Sequence, residues 1–116
     1  MSVFVFGSNE AGRHGRGSAL EALQHHGAVY GRGWGRQGNA YAIPTRDRRL
    51  RTLPPDVIHR YVQAFLNYAR RHPDETFDVV PIGCGLAGYR PLVIAPMFRG
   101  APPNVHLPPV FTELIR

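Results

Sequence analysis

Two glycine-rich stretches carry most of the residues in this 116-residue chain that are fit for chemistry. The first, Gly7-Ser8-Asn9-Glu10-Ala11-Gly12-Arg13-His14-Gly15-Arg16-Gly17, follows the apolar run Val3-Phe4-Val5-Phe6 and leads into Ser18-Ala19-Leu20-Glu21-Ala22-Leu23. The second, Gly83-Cys84-Gly85-Leu86-Ala87-Gly88-Tyr89, closes another apolar segment at 76–82. Glycines without a Cβ let backbone N–H groups approach a ligand closely, and a helix starting just after such a loop adds the positive end of its dipole. An anion is the natural guest. The first stretch has neither GxGxxG spacing nor the lysine of a P-loop, and glycine loops after strands are also plain connectors.

The available reactive groups narrow the chemistry further. All 14 cationic side chains are arginine, so the chain has no Schiff-base lysine, no Walker lysine and no lysine base. Arginine binds and polarises but does not give up its proton at working pH. His14 is the only histidine inside either glycine loop, and Arg46-Asp47 follows a short apolar run at 40–44. The single cysteine, Cys84, cannot form an internal disulfide, and with scattered histidines it makes no zinc pattern. No metal and no cofactor is expected, and a reducing compartment is.

The net charge of +6 suits a polyanionic partner such as nucleic acid, with Arg32, Trp34, Arg36, Arg46, Arg48, Arg49 and Arg51 as the candidate surface. An arginine-rich, lysine-free composition equally follows from base composition in a source genome. With 43% apolar residues, no run long enough to span a bilayer and no charged-then-apolar leader at Met1, the expectation is a cytoplasmic protein with no membrane partner.

The elements that must position these groups fit one domain, 1–116. Val3-Phe4-Val5-Phe6 reads as a buried strand. Ser18 is the expected N-cap of the first helix, with Glu21 completing a capping box and Gly27 closing the far end. Residues 27–39 form a loop of glycines with Tyr30, Arg32, Trp34 and Arg36, either plainly exposed or able to stack on a base. Ala40-Tyr41-Ala42-Ile43-Pro44 is a second strand with Thr45-Arg46-Asp47-Arg48 at its tip, where ligands bind in open α/β sheets. Pro54-Pro55-Asp56 starts a long helix running to about Arg71, before Pro73 forbids continuation, with Val57, Tyr61, Phe65 and Tyr68 and with Ile58, Val62, Leu66 and Ala69 at three-and-four spacing in a broad apolar stripe. A third strand at 76–82, a short helix at 92–98 and a last strand at 104–107 complete the order.

With both loops placed, the sequence resembles the macrodomain family, in the branch of the DNA-ADP-ribosyl glycohydrolase antitoxins and terminal ADP-ribose protein glycohydrolases. The branch's N-x-x-G-x-x-G-x-G-x-A loop is matched by Asn9, Gly12, Gly15, Gly17 and Ala19. Its P-T-K strand end is matched by Pro44-Thr45, with Arg46 in the lysine position. Its G-C-G-L-x-G loop is matched by Gly83, Cys84, Gly85, Leu86 and Gly88. The likeness covers about residues 3–95. It implies a compact three-layer α/β/α domain with a mixed central sheet and ADP-ribose, free or attached to a macromolecule, in a cleft between the loops. Asn9 would contact the distal ribose, the backbone of Gly12 to Gly17 would line that ribose and the phosphate, and 83–89, including Ala87, would cradle the diphosphate. Thr45 would lie beside them, and Tyr89 would cover a ribose or adenine face or simply pack.

The departures bear on catalysis. The family's catalytic lysine is Arg46 here, and a related subgroup's catalytic aspartate falls at Ala87. A guanidinium neither forms a covalent adduct readily nor serves as a base. Either catalysis is lost, or Arg46 stabilises charge while His14, Asp47 or Glu10 acts as base, His14 being first choice. The expected function is ADP-ribose binding, with removal of ADP-ribose from nucleic acid or protein as an enzymatic extension. A basic nucleic-acid module and sequestration of a related signalling nucleotide are the alternatives.

Overall fold

The computed structural model describes residues 2–115. Its elements run β1 (Ser2–Asn9), α1 (Gly17–His25), β2 (Gly35–Gln37), β3 (Ala40–Arg46), α2 (Pro55–Arg70), β4 (Thr76–Val79), α3 (Pro91–Ile94), a 3-10 turn (Ala95–Phe98), β5 (Val105–His106) and α4 (Pro109–Thr112). The five strands form one mixed sheet in the order β2-β3-β1-β4-β5. Only the β2–β3 pair is antiparallel. The chain is therefore an α/β fold, as expected from the sequence.

The apolar run that opens the chain is continuous because β1 is covered on both faces. Successive side chains of a strand point to opposite sides. Val3 and Val5 enter the larger core with Tyr41, Ile43, Phe77 and Val79 beneath α2. Phe6, with Phe4 packed against it, enters a smaller core of Ala19, Ala22, Ala40 and Ala42 beneath α1. The alanines on both surfaces let α1 approach the sheet closely. On the other face α2 buries Ile58, Val62, Phe65, Leu66 and Ala69, the expected three-and-four spacing.

Topology then dictates where a cleft must open. The connection leaving β1 passes over the α1 face, whereas those leaving β3 and β4 pass over the face of α2 and of Ile94 to Phe98. Connections that part to opposite faces leave a crevice beyond the carboxyl ends of the strands. Here it lies at the end of β1, between β3 and β4.

Four local expectations are corrected. β1 runs on to Asn9, so Gly7 and Ser8 belong to the strand and its ladder is irregular only between Ser8 and Asn9. β4 stops at Val79: the Val80 N–H still reaches the Val5 carbonyl at 3.1 Å, but the Ile82 N–H, next in line for β1, turns back to the Val80 carbonyl at 2.7 Å. The arginine-glycine loop contains an edge strand, β2. Helix α1 begins at Gly17 with Arg16 in the N-cap position and no side-chain cap, so Ser18 and Glu21 make no capping box.

β2 is clamped by Arg36, its outward-reaching side chain. The Arg36 guanidinium donates to both Glu75 oxygens at 3.0 Å and to the Tyr68 hydroxyl at 3.0 Å, a bidentate pair between the edge strand and the turn before β4. Arg36 thereby holds the Glu75 carboxyl below its ordinary range. A carboxyl with a lowered folded-state pKa stabilises the fold above its ordinary pKa and loses that contribution as pH falls. Glu75→Gln is therefore expected to melt below wild type at pH 7, with the gap closing as both are titrated below the carboxylate range. Phe65→Ala, which removes a fully buried ring packed on Tyr41 and Phe77, should cost about 3–5 kcal/mol in denaturant unfolding at any pH in this range.

Candidate functional site: a cationic cleft at the strand ends

A cleft of about 860 Å³ occupies the crevice. The end of β1 contributes Gly7, Ser8 and Asn9, the end of β3 contributes Thr45 and Arg46, and the segment 80–87 after β4 forms the opposite wall. The start of α1 supplies residues 15–19, and Arg13, Tyr30 and Leu50 complete the lining. The two glycine loops, some seventy residues apart in sequence, thus share one cavity.

The first loop is shaped by Asn9. Its side-chain amide donates to the Arg13 carbonyl at 3.0 Å and accepts the Arg13 N–H at 2.9 Å, while its carbonyl accepts the Gly12 N–H at 2.9 Å. One N–H and one lone pair of the amide remain for a ligand. The loop also packs against a strap, residues 29–35. The Gly31 N–H donates to the Gly12 carbonyl at 2.9 Å, and the Ser8 hydroxyl donates to the Gly33 carbonyl. A Cβ on Gly12, whose φ is +72°, would collide with the Gly31 carbonyl carbon, and one on Gly33 would lie 2.5 Å from the Asn9 carbonyl oxygen. Gly12 is a glycine because backbone meets backbone there.

Beneath the strap lies His14. It is fully buried, edge-on to Phe6, with Nε2 2.9 Å from the Arg32 carbonyl and 3.2 Å from Gln37 Oε1. The carbonyl partner requires Nε2 to carry a proton, and Nδ1 is buried with no hydrogen-bond partner among the described residues. Gln37 extends the network, accepting the Val29 N–H at 2.8 Å and donating to the Arg32 carbonyl at 3.1 Å.

The second loop closes on itself through the Tyr89 N–H to Gly83 carbonyl bond of 2.8 Å and the Gly88 N–H to Gly85 carbonyl bond of 3.0 Å. The Tyr89 hydroxyl donates to the Leu53 carbonyl at 2.7 Å. Burial pushes the Cys84 thiol above its ordinary pKa, so it stays protonated and is a poor nucleophile.

The charge of the cleft has one sign. Arg13, Arg16 and Arg46 line it, no side-chain ion pair holds any of them among the described residues, and no aspartate, glutamate or histidine lines it. The amides of Gly17, Ser18 and Ala19, freed by the missing helix cap, have no acceptor among the described residues, and neither do those of Gly85, Leu86 and Ala87. Open amides and guanidinium groups without ion-pair partners among the described residues give this cavity the donors and the charge that a multiply charged anion would need.

Of the expected site residues, the fold brings Asn9, Gly15, Gly17, Thr45, Arg46, Gly83, Cys84, Gly85, Leu86 and Ala87 into this lining. Gly12, His14, Asp47, Gly88 and Tyr89 fall outside it. His14 is corrected from loop base to buried strut. Asp47 is corrected too: it accepts the N–H groups of Arg49 and Arg51 and pairs with the Arg51 guanidinium, and the backbone bond from Arg51 leads in holding its carboxyl below the ordinary value. Glu10 accepts from the Tyr61 hydroxyl at 2.6 Å, where burial, then Glu10, pushes the phenol up to about 12. Of the arginines expected on a nucleic-acid surface, Arg36 and Arg51 are each paired with a carboxylate.

Sequence reasoning missed Arg13 and Arg16, although both stand between the glycines of the quoted loop. It also missed Leu50, which reaches the cleft only through folding, whereas Tyr30, expected either in a plainly exposed loop or able to stack on a base, does line it. Among the described residues no three His, Cys, Asp or Glu side chains converge to hold a metal, and no helix is long and apolar enough to cross a membrane. Comparison of the chain with protein-family models, curated proteins and solved structures finds no match.

Gly33→Ala tests the strap without a φ penalty, because Gly33 does not have positive φ. The added methyl would press on the Asn9 and Glu10 carbonyl groups, at 2.5 to 2.9 Å, so the variant should lose about 1–3 kcal/mol in thermal or denaturant unfolding. A wild-type melt would show that the strap and first loop are not in contact.

Proposed function

We propose that the chain is an ADP-ribose-binding, macrodomain-like protein that takes ADP-ribose free or at the end of a modified macromolecule. The observation that carries this reading is the convergence of both glycine loops, the open amino end of α1 and three unpaired arginines on one cleft that no carboxylate lines. A diphosphate has acceptor oxygens enough for the amides and charge enough for the guanidinium groups. The volume suits a dinucleotide-sized ligand.

The same lining favours binding over hydrolysis. Every base candidate is committed elsewhere: His14 under the strap, Asp47 in its own turn, Glu10 on Tyr61. Arg46 alone polarises but does not move a proton. Attachment to nucleic acid is favoured by Arg48 and Arg49, both exposed in the turn that follows Arg46 and without side-chain partners among the described residues.

Calorimetric titration with ADP-ribose should give saturable binding that weakens with salt. Gly85→Glu should abolish it at an unchanged melting temperature, because a Cβ at Gly85 meets nothing within 4 Å while the new carboxylate enters an anion site. No heat at millimolar ADP-ribose would remove the proposal. Release of ADP-ribose from a modified oligonucleotide or protein would overturn the non-catalytic part of it.

A further inference from the structure

Leu50 lies at an unusual backbone position for its type. Among the described residues it is the one non-glycine with positive φ, at 63°, a conformation costly for a side chain that cannot bond to its own backbone. It is the third residue of a tight turn whose flanks, Arg46 and Thr52, pair as an antiparallel bridge. Glycine commonly fills such a position.

The turn holds Leu50 there through Asp47. The Leu50 N–H donates to the Asp47 carbonyl at 3.0 Å, and the Asp47 N–H donates to the Arg51 carbonyl at 2.7 Å. Asp47 Oδ1 accepts the N–H groups of Arg49 at 2.8 Å and Arg51 at 3.0 Å, and Oδ2 pairs with Arg51 Nε at 3.1 Å. The Thr52 hydroxyl then donates to the Ala87 carbonyl at 3.0 Å, tying the turn to the second glycine loop.

Nothing inside the fold explains the leucine. It is half-buried yet packs against neither hydrophobic core, and its side chain lines the cleft. A strained residue kept without a packing reward, at the wall of a cavity, points to function.

We propose that Leu50 is a ligand-contact residue, held in its left-handed conformation by the Asp47 turn so that its methyl groups close on an apolar face of the bound nucleotide. This rests on reading the cleft as a nucleotide site. The apolar face is either the adenine ring or the carbon edge of the terminal ribose, and the two are separable by ligand.

The test titrates ADP-ribose and ADP into wild type, Leu50→Asn and Leu50→Met, with melts of the free proteins in parallel. Leu50→Asn, compatible with positive φ, should melt at or above wild type while its ADP-ribose affinity falls about tenfold, the scale of losing one buried leucine contact. Leu50→Met should bind within about twofold of wild type. An equal loss with ADP places the contact on the adenosine side, and a loss with ADP-ribose alone places it on the terminal ribose. Wild-type affinity in Leu50→Asn overturns the assignment, as does a lowered melting temperature accompanying weaker binding. If wild type binds neither nucleotide, the functional reading itself fails and this assignment falls with it.

Discussion

The constraint that organises this molecule is the enclosure of β1. It is hydrogen-bonded to a parallel neighbour on each edge and covered by helices on each face, so Val3, Val5, Phe6, Ser8 and Asn9 are buried, Phe4 and Gly7 are partly buried, and only Ser2 is exposed. A chain leaving such a strand must turn sharply over one face, and here it turns away from the connections of both neighbours. The cleft follows from that parting. Its glycines, arginines and open amides are arranged around a gap that the topology creates before any ligand-directed residue is considered.

Much of this was legible from residue types. The run Val3-Phe4-Val5-Phe6 announced a strand buried on both sides, and the α2 stripe announced the face that covers it. The two glycine loops were visible, and so was their common destination at strand tips. What could not be read locally were the contacts between distant loops. Gly12 looked like a ligand glycine, but it is small because Gly31 presses on it from the strap. His14 looked like a loop base because nothing in its neighbourhood in sequence reveals that Arg32 and Gln37 enclose it. Ser18 and Glu21 had the spacing of a capping box, yet the helix begins two positions earlier, with Arg16 and not Ser18 in the N-cap place, and its first amides are left open.

Arginine without lysine shapes both stability and recognition. Where a carboxylate is at hand the guanidinium makes a fork, as Arg36 does with Glu75, and rigidifies an edge of the sheet. At Arg13, Arg16 and Arg46, which line the cleft, no carboxylate among the described residues makes such a fork. The distribution of only 8 acidic residues over the chain therefore decides which arginines are structural.

The two outermost strands deserve comparison in length. β2 spans three residues and β5 two, against eight for β1. An outer strand this short offers too few free amides and carbonyls to recruit a strand from another molecule, and clamping β2 by Arg36 further restricts it. A sheet whose long, apolar member is kept innermost and whose margins are truncated is guarded against lateral growth into fibrous assemblies, even though its central sequence, taken alone, has the composition of a strongly self-associating peptide.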